Sequence, residues 1–340
     1  MRITVPPTLR LALIVAIALI AALLLLGIPQ FVNAMTLGAI YALVALGYTM
    51  VYGIIELINF AHGDVFMVGA FVSMWILTVP MGLLDRPIDD PVRLGGILLI
   101  VVVAVMLFMG TIGVIIERFA YRPLRHAPRL APLITAIGVS FILQNFIQTL
   151  FGPSPHPTPQ IFPRVTLLTV PNFDILGLHV DGGVVRALNV TMVVVAVVLM
   201  AVLQTFVART RLGRAMRSTA QDREAAELMG VDINQTIAIT FFIAAALAGA
   251  AGVIQGLYFG SVQFNLGFYS GLFAFTAAVL GGIGNTAGAA VGGFVIAFIA
   301  VFSANLGISR WSEVAIFAVL ILVLVFRPSG LFGQAVGERA

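Results

Sequence analysis

The sequence predicts an all-α, polytopic membrane protein with about eight to ten transmembrane helices and with both termini in the cytoplasm. The composition is the first reason: of 340 residues, 61% are hydrophobic and only 9% are charged, and the mean hydropathy is +1.11. A soluble domain carries about 25% charged residues because its surface faces water. The other two reasons are the regular recurrence of long apolar runs and the position of the arginines between them.

Apolar runs that are long enough to cross a bilayer recur along the whole chain. About 20 apolar residues span the hydrocarbon core as a helix, which satisfies its own backbone polar groups in lipid. The predicted spans are 9–28, 32–54, 64–84, 94–117, 131–151, 187–208, 236–259, 265–284, 286–306 and 311–327. The glycine-rich stretch 267–293 is compatible with two full spans or with a re-entrant pair of short helices, which gives ten or eight crossings.

The distribution of arginine predicts the orientation, since all 18 basic residues are arginine. Cytoplasmic loops of membrane proteins carry an excess of basic residues. Thirteen of the arginines are cytoplasmic if both termini and the loops after the fourth and sixth spans lie inside: Arg2, Arg10, Arg118, Arg122, Arg125, Arg129, Arg209, Arg211, Arg214, Arg217, Arg223, Arg327 and Arg339. The net charge of +4 therefore reflects membrane topology, and no binding of nucleic acid is expected.

The N-terminus allows two interpretations. Arg2 and Arg10 precede the apolar stretch Leu11–Leu26, and the small residues of Val32–Ala34 fit a cleavage site, as in a signal peptide. An uncleaved first helix is favoured because the next apolar run starts at once.

One transmembrane domain, 1–340, is predicted, with two long loops. The loop 152–186 is rich in proline in its first half and is predicted to lie outside the membrane. It forms either a structured cap or hairpin, or a docking surface for an outer partner. The loop 209–235 is predicted to be cytoplasmic.

The second loop contains a short predicted helix. Glu224–Leu228 consists of good helix formers, Asp222 is a suitable N-cap, and Gly230 follows the last turn, where glycine commonly ends a helix. Such a helix either rests on lipid headgroups or acts as a lever that fits a groove on a cytoplasmic partner.

Polar residues in or beside the spans are candidates for the translocation path or its gate: Asn59, His62, Asp64, Gln144, Asn145, Gln148 and Gln255. Polar groups at membrane depth are costly and usually face a cavity or a partner. The first three fall where the second span ends and the third begins. In the structural alternative Asn59 and Asp64 cap helices, with Asp64 the N-cap of the third span, and His62 donates to a backbone carbonyl. The glutamines and Asn145 could equally bond neighbouring helices.

The sequence lacks the residues for an enzymatic role. A phosphate-binding loop requires a lysine, and the chain has none, so any ATPase must be a separate polypeptide. The four histidines never pair at metal-ligand spacing, so no metal or other cofactor is expected. A stand-alone secondary transporter is the rival function. It would bury ion-coupling carboxylates mid-membrane, whereas the acidic residues here fall in loops or at span ends.

Four segments carry a resemblance to known families. Glu224, Ala225, Ala226 and Gly230 are similar to the coupling-loop signature of ABC importer permeases, although the proline that follows in that pattern is absent here. Three further segments resemble the branched-chain amino acid permease family, in the same order along the chain: Gly38–Asp64, Phe273–Gly284 and Arg327–Gly330. The resemblance extends from about Gln30 to Gly333.

The resemblance implies a role and a set of partners. The chain would be the permease subunit of an importer for leucine, isoleucine and valine, in the bacterial cytoplasmic (inner) membrane. Glu224, Ala225, Ala226 and Gly230 would dock on cytoplasmic ATP-binding subunits. A second homologous permease subunit, a periplasmic or lipid-anchored substrate-binding protein, and membrane lipid would be the other partners. Urea or a short amide stays open as the substrate, since permeases for these compounds look similar.

Overall fold

The computed structural model describes residues 7–83, 86–125, 127–128, 130–175 and 178–333. Arg2, Arg129 and Arg339, which support the predicted orientation, lie outside these residues. Eleven α-helices occur in the described part: α1 (Pro7–Ile55), α2 (His62–Thr78), α3 (Pro91–Ile116), α4 (Leu130–Phe151), α5 (Ala187–Arg209), α6 (Arg211–Gln221), α7 (Arg223–Leu228), α8 (Ile233–Phe259), α9 (Leu266–Gly281), α10 (Thr286–Asn305) and α11 (Ser312–Phe326). A π-helical turn (Glu117–Tyr121) extends α3, and 3₁₀ turns occupy Arg122–Leu124 and Ser309–Trp311.

The prediction of an all-α polytopic membrane protein is confirmed. Within the described residues, seven helices are long and apolar enough to cross a membrane. Gly27, with a φ of +71°, kinks α1 into two arms. With these arms counted separately, helices occupy all ten predicted spans.

Two of these helices are shorter than predicted: α2 has 17 residues and α9 has 16. Pro80 has no N–H to continue α2, so this helix ends at Thr78 and not near 84. The stretch 267–293 holds the short α9 and the beginning of the full-length α10, so a pair of two short helices does not form there.

Six short strands lie in and near the loop 152–186: β1 (His156–Pro157), β2 (Thr166–Val170), β3 (Phe173–Ile175), β4 (Leu178–Val180), β5 (Gly183–Arg186) and β6 (Ser261–Val262). β3 pairs with β4 and β2 pairs with β5, both antiparallel, so the two pairs form one nested hairpin. β1 pairs with β6, which joins this loop to the end of α8. The loop thus contains a hairpin, as one predicted alternative has it, and its position outside the membrane stays a prediction.

The strands and the α6–α7 segment lie at opposite ends of the bundle. α5 leads from β5 to α6, and α8 leads from α7 to β6, so two long helices separate them. We call these ends the β end and the α7 end. The kink of α1 lies at the β end, where Ile28 N donates to Asp181 O at 3.0 Å. The end of α1 contacts Arg223 at the α7 end. That the α7 end faces the cytoplasm stays a prediction from the arginines.

The helices contact one another in two matching sets. The second arm of α1 packs mainly on α10, and α8 packs in the same way on α3. α2 lies against α8, and α9 lies against α1. Exchanging α1–α4 with α8–α11 therefore reproduces the main contacts. Because the second arm of α1 and α8 run in opposite directions, the arrangement is that of an inverted repeat, which is frequent in transporters.

The two short helices meet in the interior of the bundle through glycine. A Cβ atom added to Gly63 would lie 2.3 Å from the carbonyl oxygen of Gly267 and 2.7 Å from Cα of Gly271. The first turn of α2 therefore touches the first two turns of α9 backbone to backbone. Small residues permit this close approach of membrane helices.

Candidate functional site

The short helix predicted within the loop 209–235 is present as α7. The Asp222 side chain caps it by accepting a hydrogen bond from Ala225 N at 3.0 Å, which confirms the predicted cap. Gly230 follows the helix with a φ of +84°, a conformation that favours glycine. Sequence reasoning missed α6, whose N-cap Thr210 accepts from Gly213 N at 3.0 Å. The pair Thr210 and Gly213 is a local capping signal that could have revealed it.

The four predicted coupling residues of the α7 segment differ in exposure. Ala226 is buried against the body of the protein, whereas Glu224, Ala225 and Gly230 are exposed. Leu228 is 88% exposed and Met229 is 84% exposed. These two apolar side chains adjoin Gly230, beside which nothing lies within 4 Å of an added Cβ. We call Glu224–Gly230 the α7 surface.

The α7 segment is tied to the end of α1. Arg223, the first residue of α7, donates from Nε at 3.2 Å and from Nη2 at 2.6 Å to the carbonyl oxygen of Ile54. Beyond Ile54 the chain leaves the helix at Glu56, which has a φ of +54°. Sequence reasoning counted Arg223 only as a topological charge, because no local pattern indicates a contact across 169 residues.

The segment 56–61, between α1 and α2, turns back into the bundle. Asn59 is 4% exposed, and its Oδ1 accepts from Ala61 N at 3.1 Å and from Tyr121 Oη at 2.9 Å. Asn59 thus binds both its own segment and the π-helical turn after α3. Asn59 therefore stabilises the turn that precedes α2, and its role in a gate stays a prediction.

An ion pair with a buried carboxylate and a partly exposed arginine lies beside this turn. Arg125 donates to the Glu117 carboxylate, which is 2% exposed, and also to Asn234 Oδ1 at 2.6 Å. Burial lowers the pKa of the Arg125 guanidinium, and the Glu117 carboxylate opposes that shift. The guanidinium remains charged, since arginine keeps its proton in proteins. The pair connects the loop after α3 with the first turn of α8.

Asp64 binds α4 and does not cap α2. The N-cap position of α2 is Ala61, which makes no side-chain capping bond, so the prediction that Asp64 is the N-cap is wrong. Its carboxylate instead accepts from Ser140 Oγ and from Gln144 Nε2, the latter at 2.9 Å. Two side-chain donors on another helix outcompete the local backbone N–H groups. Gln144 thus lies beside Asp64, as a candidate path residue would; Asp64 is buried and Gln144 is half-buried.

His62 lies against the second arm of α1, with its ring close to Gly47 and 4.8 Å from the ring of Tyr48. Gly47 lies about two helical turns before the end of α1, so α2 begins well inside the bundle. That His62 donates to a backbone carbonyl, as in the structural alternative, stays a prediction. Its Nε2 atom is buried and has no hydrogen-bond partner among the described residues.

The remaining candidate path residues lie apart from this cluster. Asn145 is exposed on α4 and donates to its own helix, to Phe141 O at 2.8 Å. Gln148 is half-buried on α4, and Gln255 is buried in α8. The structure therefore brings together Asn59, His62, Asp64 and Gln144 around the start of α2 and does not bring the other three to them. Their part in transport stays a prediction.

A cavity of about 420 Å³ opens at the α7 end. Its wall contains Ile54 and Glu56 from the end of α1, Asp222 and Arg223 from the start of α7, and Tyr121 and Arg125 from the loop after α3. Residues of the α7 segment and of the turn that leads to α2 thus line the same cavity, and the contact between Arg223 and Ile54 forms part of its wall.

The sequence model of a known family matches most of this chain. The model of the family described as branched-chain amino acid transport system / permease component matches residues 30–324. The chain belongs to this family. The expectation from Gly38–Asp64 and the later segments is thereby confirmed.

Individual relatives agree with this assignment. The permease is 40% identical to the high-affinity branched-chain amino acid transport system permease protein BraD of Pseudomonas aeruginosa, over 92% of this chain and 97% of the relative. It is 38% identical to LivH, the permease protein of the same description in Escherichia coli K12, over the same shares. The probable branched-chain amino acid transport permease protein LivH of Methanocaldococcus jannaschii is 24% identical over 86% and 88%. No solved structure matches the chain.

Proposed function

We propose that this permease is the transmembrane subunit of an ATP-driven importer for branched-chain amino acids in the bacterial cytoplasmic membrane. The family assignment supports the transport role, and relatives described as branched-chain amino acid permeases support the substrate class. The absence of lysine supports a separate ATPase, because a phosphate-binding loop requires that residue.

The α7 surface is the observation that carries the proposal. Leu228 and Met229 are almost fully exposed on it, and in the proposal another molecule covers this apolar pair. Glu224, Ala225 and Gly230 lie on the same surface. In the proposal these residues dock on a cytoplasmic ATP-binding subunit, whose closure upon ATP binding moves α7.

The other partners follow from the two ends of the bundle. A periplasmic or lipid-anchored binding protein delivers the amino acid at the β end, where the nested hairpin is exposed. A second homologous permease encloses the path together with this one. The proposed gate is the segment that contains Asn59 and, in the first turn of α2, His62 and Asp64, because the non-helical stretch before α2 enters the bundle from the α7 end.

Reconstitution tests the proposal. The permease, its partner permease, the ATP-binding subunits and the binding protein are placed in liposomes, and uptake of leucine, isoleucine, valine and urea is measured with ATP and with a non-hydrolysable analogue. We expect ATP-dependent uptake of the three amino acids. Uptake of urea but of none of the amino acids would show that urea is the substrate. Uptake of leucine by the permease alone, without ATP, would favour a secondary transporter. ATPase activity in the isolated permease would also contradict the proposal.

A further inference from the structure

We infer that Arg223 is the positioning residue through which α7 moves the end of α1, and through it the turn that precedes α2. The inference rests on the proposed function, because it assigns the path by which docking at the α7 surface reaches the proposed gate. Its basis is the pair of hydrogen bonds from Arg223 to the Ile54 carbonyl.

The Ile54 carbonyl needs this donor. The last four carbonyls of a helix have no intrahelical partner, and the chain departs from α1 at Glu56 in the left-handed region. Most helices that end in this conformation do so at glycine, so Glu56 is a strained ending for a non-glycine residue. A guanidinium at the carboxyl end of a helix binds the free carbonyls and complements the helix dipole. Arg223 therefore stabilises the strained end of α1.

Arg223 is also rigidly joined to the docking surface. It is the first residue of α7 and adjoins Asp222, whose side chain caps the helix at Ala225. A shift of Glu224 and Ala225 by a docked partner must carry the Arg223 backbone with it, since all lie in one helical turn.

The surroundings of the link leave room for movement. The cavity of about 420 Å³ lies beside Ile54, Glu56 and Arg223, so close packing does not hold α7 and α1 together there. On the other side of the turn, Tyr121 holds Asn59 at 2.9 Å, and α2 starts three residues later. Movement of the α1 end thus acts on a short segment that is fixed at Asn59 and leads directly to His62.

Arg217 provides a matched control within the same loop. It donates from its guanidinium to the backbone carbonyl oxygen of Val207, at the end of α5, and thereby ties α6 to α5. The chemistry of the contact is the same, but it joins neighbouring helices and does not reach α1. Arg223→Gln and Arg217→Gln therefore both remove hydrogen bonds from a guanidinium to a backbone carbonyl. The first disconnects α7 from α1, and the second disconnects α6 from α5.

The first test measures coupling in the reconstituted importer, as leucine taken up per ATP hydrolysed and as stimulation of ATP hydrolysis by the loaded binding protein. Arg223→Gln is expected to lower both by at least about tenfold, because both charge-assisted hydrogen bonds to the Ile54 carbonyl are lost, while hydrolysis without binding protein stays unchanged. Arg223→Lys, which retains a cationic donor, should recover part of the loss, and Arg217→Gln should leave the ratio intact. A wild-type ratio in Arg223→Gln, or an equal loss in Arg217→Gln, would overturn the inference.

The second test measures the link directly, in assembled complexes, and so does not depend on transport. Because this chain has no cysteine, spin labels introduced by Glu56→Cys and by Gln221→Cys, which is exposed and lies outside the α7 surface, are the only labels on this subunit. The distance between the labels should be the same with and without ATP in the wild-type background, and should change with ATP in Arg223→Gln or, if that variant fails to assemble, in Arg223→Lys. An ATP-dependent distance in the wild-type background would contradict the inference. Absence of leucine uptake by the wild-type complex would instead contradict the proposed function.

Discussion

The Nε2 atom of Gln144 lies 2.9 Å from Oδ1 of Asp64, and this contact joins α4 to the first turn of α2 inside the bundle. Ser140 donates to the second oxygen of the same carboxylate. A buried carboxylate is stable only when its lone pairs are occupied, so both donors on α4 are part of one polar contact. α4 and α2 share few other contacts.

We predict that Asp64→Ala lowers the stability of the permease by about 1–3 kcal/mol, the cost of leaving buried polar partners unsatisfied. Thermal unfolding of the detergent-solubilised chain, followed by size-exclusion fluorescence, measures the effect. Asn145→Ala is the control on the same helix, since Asn145 is exposed and bonds only its own helix. Its effect should stay within about 0.5 kcal/mol. Equal melting temperatures for the two variants would show that the Asp64 contact contributes nothing.

We predict that Gly63→Ala prevents correct packing of the bundle. The new Cβ would lie 2.3 Å from the Gly267 carbonyl oxygen, and backbone on the facing helix cannot yield as a flexible side chain does. Gly138→Ala is the matched control, because nothing lies within 4 Å of a Cβ at this helical glycine. It should be neutral or stabilise α4 by about 0.5–1 kcal/mol. Yield of monodisperse protein after solubilisation distinguishes the two, and a normal yield of Gly63→Ala would contradict the close contact.

The Glu117–Arg125 pair should show strong coupling between its members. Removing one partner of a buried ion pair leaves an uncompensated charge and costs about 3–5 kcal/mol, so Arg125→Met should be severely destabilised. Adding Glu117→Gln should restore much of the loss, because the double variant has no stranded carboxylate. A double-mutant cycle of melting temperatures measures the coupling. Purely additive effects of the two substitutions would indicate that the pair contributes little.

Gly230→Asp should insert into the membrane and fold normally, because the site has free space and aspartate tolerates a positive φ better than most residues. It should nevertheless abolish binding-protein-stimulated ATP hydrolysis, since it places a charge within the proposed docking contact beside Met229. Gly82→Asp is the control, with a φ of +61° and equal free space, but at the β end. Normal binding-protein-stimulated ATP hydrolysis in Gly230→Asp would show that the α7 surface does not couple the permease to the ATP-binding subunit.

Local rules predicted what depends on neighbours in sequence. The position of α7 and its Asp222 cap followed from helix propensity and capping residues, and the spans followed from apolar length. The same rules failed for Asp64, because its partners Ser140 and Gln144 lie 76 and 80 residues away. They also gave no sign that Arg223 binds Ile54 or that Glu56 is left-handed. These features depend on how distant helices pack, which a single sequence does not display.

The inverted repeat has a consequence for biosynthesis. The main packing partner of the second arm of α1 is α10, and that of α3 is α8. Each of these early helices therefore lacks its main packing partner until a much later helix has been synthesised. The Ile54 carbonyl likewise has no Arg223 donor until 169 further residues have been synthesised. Until then the glycine and alanine faces of the first helices are in contact with lipid or with the insertion machinery. We therefore expect the newly made protein to acquire its packed structure only after its last helices enter the membrane, and a truncated first half to insert without maturing.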